Sequence, residues 1–216
     1  NLYTARANQG GVVKLYYWPN TRAFTALWMM EELGEPYEIV HVDIRNPEHP
    51  TAAYRAINPM GKLPGLQDGE CAMGETAAVL LYAAEKYPSQ GFAPAPTDPR
   101  RGRFLQWLVF PSTTMEPVMM EKRTGTKPNT STSGWGDYDR AMAALESAIK
   151  PDAWLTGSQF TAADLYVASH LRFGMQFGMI DRRDAFVSFS ERACARPAFA
   201  RASAIEQREL DAIKAR

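Results

Sequence analysis

Apolar residues in the first part of the chain switch between short β-rich runs and stretches with helical spacing. From Ala23 the apolar positions recur every three or four residues up to Leu33, and Gly34 follows as a typical helix stop. Runs rich in β-branched and aromatic residues predict strands. The predicted order is β-α-β-α-β-β-α, with strands at 12–17, 37–42, 64–67 and 71–73 and helices at 23–33, 51–57 and 75–86.

The pattern changes after residue 87. Residues 88–99 contain four prolines together with serine and glycine, which is the composition of a linker. Beyond this segment no run suggests a strand, and helical spacing recurs at 100–123, 137–149, 161–176 and 197–214. The predicted organisation is an N-terminal arm or tail at 1–13, an α/β domain at 14–87, a linker at 88–99 and an all-helical domain at 100–216.

Charge and composition limit the class of protein. Lys plus Arg and Asp plus Glu each number 24, which gives zero formal charge, and 45% of the residues are apolar. Nucleic acids and anionic membranes attract proteins with a basic excess, so neither is expected as a partner. No apolar run approaches the length of a membrane span, which favours an ordinary globular protein.

Cysteine and histidine usage favours a reducing compartment and argues against metal binding. Cys71 and Cys194 are too few for a disulfide framework, and Cys71 falls in a predicted strand as a small core residue. The first thirteen residues lack the apolar segment of a secretory signal, so a cytoplasmic location is expected. His41, His49 and His170 show no ligand spacing with the cysteines, so no metal site is expected.

A first candidate site is the turn at 18–22, where a predicted strand enters a predicted helix. The N–H groups of a first helical turn lack partners and carry the positive end of the helix dipole, so they stabilise an anion or a thiolate. Asn20 and Thr21 each offer a side-chain donor beside those groups. Either residue also suits a plain helix cap, and the local pattern alone leaves both interpretations open.

Two further segments offer groups for a peptide-like ligand. Lys62 supplies a cation next to Leu63-Pro64, and a cis bond there would turn the Leu63 N–H and C=O outward. Glu75 and Thr76 stand at the start of a predicted helix, where an acceptor and a hydroxyl suit an α-amino-acid head group. Taken singly, a solvated lysine and an ordinary capped helix are the favoured explanations of these residues.

Together these segments resemble the cytosolic glutathione transferases of bacteria and fungi. The similarity is carried by Lys-Leu-Tyr-Tyr-Trp-Pro-Asn-Thr-Arg at 14–22, Glu-Glu-Leu-Gly at 31–34, Asn-Pro-Met-Gly-Lys-Leu-Pro at 58–64, Glu-Thr at 75–76 and Trp-Leu-Thr-Gly-Ser-Gln-Phe-Thr-Ala-Ala-Asp-Leu at 154–165. The resemblance implies an α/β thioredoxin-like N-terminal domain, an all-α C-terminal helical domain, glutathione as co-substrate and a homodimer.

The resemblance also implies how glutathione lies. The peptide would extend along Leu63-Pro64, with its γ-glutamyl end on Glu75 and Thr76 and its glycyl carboxylate near Lys62. Its sulfur would point to the start of the first helix.

The residue that activates the sulfur departs from the commonest family patterns. The Cys-Ser pair of one bacterial class would fall at residues 22–23, which are Arg-Ala here. Plant-like members place a serine at the position of Asn20, and some fungal members place one at Thr21. Tyr17 aligns with a tyrosine that lies near the thiol in other members, or it is a core aromatic. The candidates are therefore Thr21, Asn20 and Tyr17.

The helical domain is expected to supply a pocket for a small apolar electrophile. Met and aromatic side chains form adaptable apolar walls, although such stripes also occur in cores. The pocket candidates are Trp107, Phe110, Met115, Met119 and Phe173. Thr161 and Asp164 form a capping box at the start of a mostly apolar helix, which we assign to folding.

The expected function is thus a glutathione S-transferase that activates the glutathione thiolate for attack on an apolar electrophile. A glutathione-dependent isomerase, dehalogenase or etherase on the same fold is an alternative. A non-catalytic binding protein of this fold is another, because the turn at 20–21 holds Asn-Thr instead of the usual serine or cysteine.

Overall fold

The computed structural model describes residues 11–46 and 48–215. The first ten residues of the predicted N-terminal arm or tail lie outside this range. Within it, the first part of the chain holds four strands and three helices in the predicted order. The strands are β1 Val13–Tyr17, β2 Tyr37–His41, β3 Gly65–Asp68 and β4 Cys71–Met73, and the helices are α1 Ala23–Leu33, α2 Ala52–Ile57 and α3 Thr76–Lys86.

The four strands form one mixed sheet in the order β2-β1-β3-β4. Strand β1 pairs parallel with β2 and antiparallel with β3, and β3 pairs antiparallel with β4. Leu15 sits at the centre, where it is opposite Ile39 on one side and Leu66 on the other. Because β1 is a central strand, the chain passes directly from the core into the turn at 18–22 at the carboxyl end of this strand.

Helix α1 is apolar around almost its whole circumference, since it lies between the sheet and the helical part. Nine of its eleven residues are buried, and it contacts α3, α7 and α9 as well as β1. Gly34 ends it in the left-handed conformation at φ 67°, and the Gly34 N–H donates to the Met30 carbonyl at 3.0 Å. The helix stop predicted at this glycine is confirmed.

The rest of the chain is helical. Its helices are α4 Arg101–Phe110, α5 Glu116–Thr124, α6 Tyr138–Ala148, α7 Ala162–Gln176, α8 Asp184–Cys194 and α9 Pro197–Lys214. Within the described ranges none of these helices is both long enough and apolar enough to cross a bilayer. The domain boundaries themselves stay a prediction, although the strands do end before the proline-rich segment at 88–99.

The helix predicted at 100–123 is continuous but contains a wider π-helical turn at Pro111–Met115. Pro111 has no N–H to donate to the preceding helical turn, which breaks the regular hydrogen-bond ladder there. Within the turn, the hydroxyls of Ser112 and Thr113 both donate to the Val109 carbonyl, at 3.0 and 2.9 Å. The π turn ends at Glu116, which is the first residue of α5.

Helix α8 is absent from the elements that the sequence predicted. Its buried residues are Phe186, Phe189, Ser190 and Ala193, which is the three- and four-residue spacing of an amphipathic helix. The signal was present in the sequence, but the segment is flanked by charged residues and carries few aliphatic ones.

Helix α7 runs through the middle of the helical part, with eleven of its fifteen residues buried. The capping box at its start is confirmed: the Asp164 carboxylate accepts from the Thr161 N–H at 2.8 Å and from the Thr161 hydroxyl at 2.7 Å. The same carboxylate also accepts from the Leu155 N–H at 2.7 Å, so it ties the preceding loop to the helix.

One core prediction is wrong. Cys71, expected as a small core residue, is exposed on β4. The reason is its place at the outer edge of the sheet, in a strand of three residues whose other neighbour is solvent.

Candidate active site

A cleft of about 300 Å³ lies where the start of α1 meets α7 and α9. Two of the three candidate sulfur-site residues, Asn20 and Thr21, contribute to its wall. The remaining lining side chains are Arg22, Phe24, Thr25, Ser169, His170, Arg172, Phe173, Gln176, Phe177 and Glu206. The cleft therefore combines phenylalanine rings with hydroxyl, amide and charged groups.

Asn20 adopts a left-handed backbone conformation at φ 58°, which is uncommon for residues other than glycine. Its backbone N–H donates to Glu206 Oε1 on α9 at 3.0 Å, and this contact fixes the turn. Among the described residues, the Asn20 side-chain amide has no hydrogen-bond partner, and the residue is exposed in the cleft. Its amide is thus available to a ligand.

The Thr21 hydroxyl is already occupied. It donates to the Trp18 carbonyl at 2.6 Å and accepts from the Ala23 N–H at 3.2 Å. This is the capping interpretation of Thr21, and it leaves the hydroxyl without a free proton in this conformation.

Tyr17 is fully buried and does not line the cleft. Its hydroxyl donates to Glu206 Oε1 at 3.3 Å. Burial, followed by the charge and hydrogen bond of Glu206, raises the Tyr17 pKa well above the ordinary tyrosine value. Its position fits the core-aromatic interpretation better than direct contact with a thiol.

The backbone at the start of α1 offers donors as well. The first bonds of the helix come from the N–H groups of Phe24 and Thr25, which donate to the carbonyls of Thr21 and Arg22. Within the described part of the chain, the N–H groups of Thr21 and Arg22 have no acceptor. These free donors and the positive end of the helix dipole make the turn favourable for an anion.

Sequence reasoning missed a charged cluster behind this turn. The Arg22 guanidinium binds Glu116 at the start of α5 through two contacts of 2.5 and 3.1 Å, and it stacks on the Phe173 ring at 3.7 Å. His170 Nε2 lies 3.1 Å from the same carboxylate. Burial alone would raise the Glu116 pKa, but the hydrogen bonds and charges of His170 and Arg22 outweigh it and lower that pKa to about 2.

This cluster predicts an acid-sensitive contribution to stability. Because the Glu116 pKa falls from 4.5 to about 2 on folding, the stabilisation is present above pH 4.5 and is lost as the pH falls towards 2. The shift corresponds to roughly 3 kcal/mol, and solvent screening of this partly exposed carboxylate reduces it to about 1–2 kcal/mol. Thermal unfolding of wild type and Glu116→Gln followed from pH 7 to 2 should show a difference that closes below pH 4.5. A constant difference would contradict the assignment.

The predicted peptide-binding loop is held by its own side chains. The Lys62 carbonyl accepts from the Tyr54 hydroxyl at 2.6 Å and from the Asn58 amide at 2.8 Å, while the Lys62 side chain is exposed. The Leu63-Pro64 peptide bond is cis. Among the described residues, the backbone N–H and C=O of Leu63 have no hydrogen-bond partner.

Glu75 has an unusual backbone conformation. It has φ 62° and ψ 116° at the start of α3, a conformation that costs a non-glycine residue roughly 1–3 kcal/mol and is concentrated at functional sites. The Glu75 side chain is exposed, whereas Thr76 is buried.

The predicted pocket residues need correction. Trp107, Met115 and Met119 are 4%, 0% and 1% exposed, because they face the interior of the helical part. A side chain without accessible surface contacts no ligand, so these three are core residues. Phe110 is partly buried and packs on Trp107, with ring centroids 4.9 Å apart, outside the cleft lining. Of the five candidates, Phe173 alone belongs to that lining.

No group of three or more potential metal ligands comes together in residues 11–46 and 48–215.

Comparison with known proteins places this geometry in a family. Residues 22–86 match the family model of the glutathione S-transferase N-terminal domain, and residues 121–173 match that of the C-terminal domain. A glutathione transferase structure from Methylococcus capsulatus strain Bath superposes with a TM-score of 0.75 at 27% identity, covering 91% of this chain and 99% of the other. The chain belongs to the cytosolic glutathione S-transferase family.

Two further relatives are informative. A sphingomonad glutathione S-transferase complexed with glutathione has a TM-score of 0.72 at 26% identity and covers 90% of this chain and 98% of its own. Glutathione S-transferase F9 of Arabidopsis thaliana is 38% identical over 96 residues. That match spans 44% of this chain and 45% of the plant protein, so it covers less than half of that relative's length. The predicted family and fold class are confirmed.

Proposed function

We propose that the chain is a glutathione S-transferase that activates the glutathione thiol at the turn preceding α1. The observation that carries this proposal is the turn itself. The N–H groups of Thr21 and Arg22 and the Asn20 amide, which have no partner among the described residues, lie at a helix N-terminus that lines the cleft. This arrangement stabilises a thiolate.

Glutathione lies extended along the loop that ends at Leu63-Pro64. The N–H and C=O of Leu63, which have no partner among the described residues, pair with the peptide backbone of the ligand, and the exposed Lys62 ammonium receives its glycyl carboxylate. Glu75 binds the γ-glutamyl ammonium, and its strained backbone supports a functional role for this position. The family relation adds support, since the sphingomonad relative is complexed with glutathione.

Among the three candidates for the sulfur site, we propose Asn20 as the donor. The Thr21 hydroxyl is used by the Trp18 carbonyl, and Tyr17 is buried behind the turn. Only Asn20 combines exposure in the cleft with an amide that has no partner among the described residues.

The turn needs to supply only a modest free energy to stabilise the thiolate. A free thiol has a pKa of about 8.5, and a reduction of about two units makes thiolate the majority form at neutral pH. Such a shift corresponds to about 2.7 kcal/mol. A hydrogen bond to a charged group supplies about 1.5–3 kcal/mol, so the Asn20 amide and the helix N-terminus together are sufficient.

The thiolate then attacks an electrophile held in the cleft. A carbon–sulfur bond forms at the electrophilic carbon, and the leaving group departs with the electron pair of the broken bond. The apolar body of the electrophile rests on Phe173 and Phe177, whose ring centroids lie 4.7 Å apart. The enzyme's remaining task is to hold the two reactants close together.

The proposal is tested by titrating the protein with glutathione and following thiolate ultraviolet absorbance, then assaying turnover of a neutral aryl halide. Wild type should bind glutathione and form the conjugate. Glu75→Gln should weaken binding by about tenfold, because it removes the charged partner of the γ-glutamyl ammonium. The matched control Glu70→Gln, an exposed glutamate in the neighbouring hairpin, should leave binding unchanged.

Absence of glutathione binding at millimolar concentration would refute the proposal. Binding without conjugation would instead support the isomerase, dehalogenase, etherase or non-catalytic alternatives.

A cytoplasmic homodimer is part of the same proposal, on the strength of family membership. Sedimentation equilibrium should then give twice the chain mass of 24.1 kDa.

A further inference from the structure

Arg172 occupies an unusual electrostatic position in the cleft. It is half-buried on α7, and its guanidinium carbon lies 5.4 Å from the centroids of both the Phe24 and Phe199 rings. Unlike Arg22, it makes no ion pair and no hydrogen bond with any residue in the described ranges. The two rings contact each other, with centroids 5.7 Å apart, so the guanidinium lies beside the pair with its donors uncommitted.

The other charged groups of the cleft are already engaged. Arg22 is bound by Glu116, which also contacts His170. Glu206 directs its carboxylate towards the turn, where Oε1 accepts from the Asn20 N–H and the Tyr17 hydroxyl. Arg172 is thus the cation of the lining without a carboxylate partner among the described residues.

Arg172 and the turn at 18–22 contact α9 at different points along the cleft. Arg172 packs beside Phe199 on α9, whereas Glu206 contacts the turn from a position seven residues further along the same helix. Seven residues of α-helix span about 10 Å along its axis. An aromatic ring bound in the cleft beside Phe173 and Phe177 can present one substituent to the sulfur and another to Arg172.

We propose that the second substrate is an aromatic electrophile carrying a carboxylate, which Arg172 binds in the cleft. This inference rests on the proposed function and amends the expectation of a purely apolar electrophile. A planar guanidinium matches a carboxylate through two parallel hydrogen bonds, and a free arginine in a partly desolvated cleft favours such a partner.

The test compares 4-chloro-3-nitrobenzoate with its methyl ester. In both probes the glutathione thiolate forms a C–S bond at the chlorinated carbon and chloride leaves with the electron pair of the C–Cl bond. The carboxylate is unchanged by the reaction. Each kcat/KM is divided by the rate constant of the uncatalysed reaction with glutathione, so that the different ring activation of acid and ester cancels.

Wild type is expected to favour the carboxylate by about tenfold on this corrected scale. Arg172→Met should abolish the preference, and Arg172→Lys should retain part of it. Arg208→Met, an exposed arginine on α9, is the matched control and should behave as wild type. Equal preference in wild type and Arg172→Met, or no preference in wild type, would overturn the proposal.

A binding measurement keeps the inference testable without turnover. Calorimetry with the unreactive 3-nitrobenzoate, in the presence of S-methylglutathione, should show about tenfold weaker binding to Arg172→Met than to wild type. Equal affinities would refute the carboxylate site. Failure of the proposed function is seen separately, as absent glutathione binding and absent turnover of the methyl ester.

Discussion

Replacing Asp164 by alanine is expected to lower the free energy of unfolding by about 3–5 kcal/mol. The carboxylate is fully buried and accepts three hydrogen bonds, from the Leu155 N–H, the Thr161 N–H and the Thr161 hydroxyl. Alanine leaves the two backbone donors buried without partners, at about 1–3 kcal/mol each, and removes the cap of α7. The loss is large because one side chain satisfies both the helix start and the loop before it.

Urea unfolding of the variant followed by circular dichroism measures this loss. The matched control is Asp139→Ala, an exposed aspartate in the first turn of α6, which should change the free energy of unfolding by less than about 0.5 kcal/mol. Asp164→Asn should fall between them, since the amide oxygen still accepts at least one bond. A change below about 1 kcal/mol in Asp164→Ala would show that this network does not hold α7.

The parts of the fold that can be predicted from the sequence are those that depend on local patterns. Helix α1 follows from apolar spacing and a terminal glycine, and the α7 cap follows from the spacing of Thr161 and Asp164. The local sequence does not determine which side of a helix faces a cleft. Met115 and Met119 have the composition of a ligand wall, but tertiary packing turns them into the core. The sequence pattern identifies an apolar face without saying what covers it.

The candidate site divides in the same way. The pieces predicted from sequence, at 20–21, 62–64 and 75–76, are short motifs at the ends of strands and helices. The missed groups act across the fold: Glu206 contacts a turn 186 residues earlier, and Glu116 binds Arg22 over 94 residues. Sequence spacing carries no signal for such pairs. The one available hint is the helical period of α9. It places Phe199 and Glu206 two turns apart and therefore on the same side of that helix.

Removing the Asn20 side chain is expected to raise the pKa of the bound glutathione thiol by about 1–2 units and to lower kcat/KM at neutral pH by about tenfold or more. The amide is the exposed donor at the turn, and a hydrogen bond to a charged group is worth about 1.5–3 kcal/mol. Glycine is the right replacement, because Asn20 has φ 58° and glycine adopts that conformation without strain.

Variants of the other two candidates show which residue lowers the pKa of the glutathione thiol. Thr21→Ala should leave the thiol pKa within a few tenths of a unit of wild type, since its hydroxyl is bound to the Trp18 carbonyl. Tyr17→Phe should do the same, because its hydroxyl donates to Glu206 and the ring is buried. Thiolate absorbance of bound glutathione as a function of pH gives each value directly. If Asn20→Gly leaves the pKa unchanged while Tyr17→Phe raises it, the buried phenol must reorient towards the sulfur. The backbone N–H groups of the turn would then act with Tyr17 instead of Asn20.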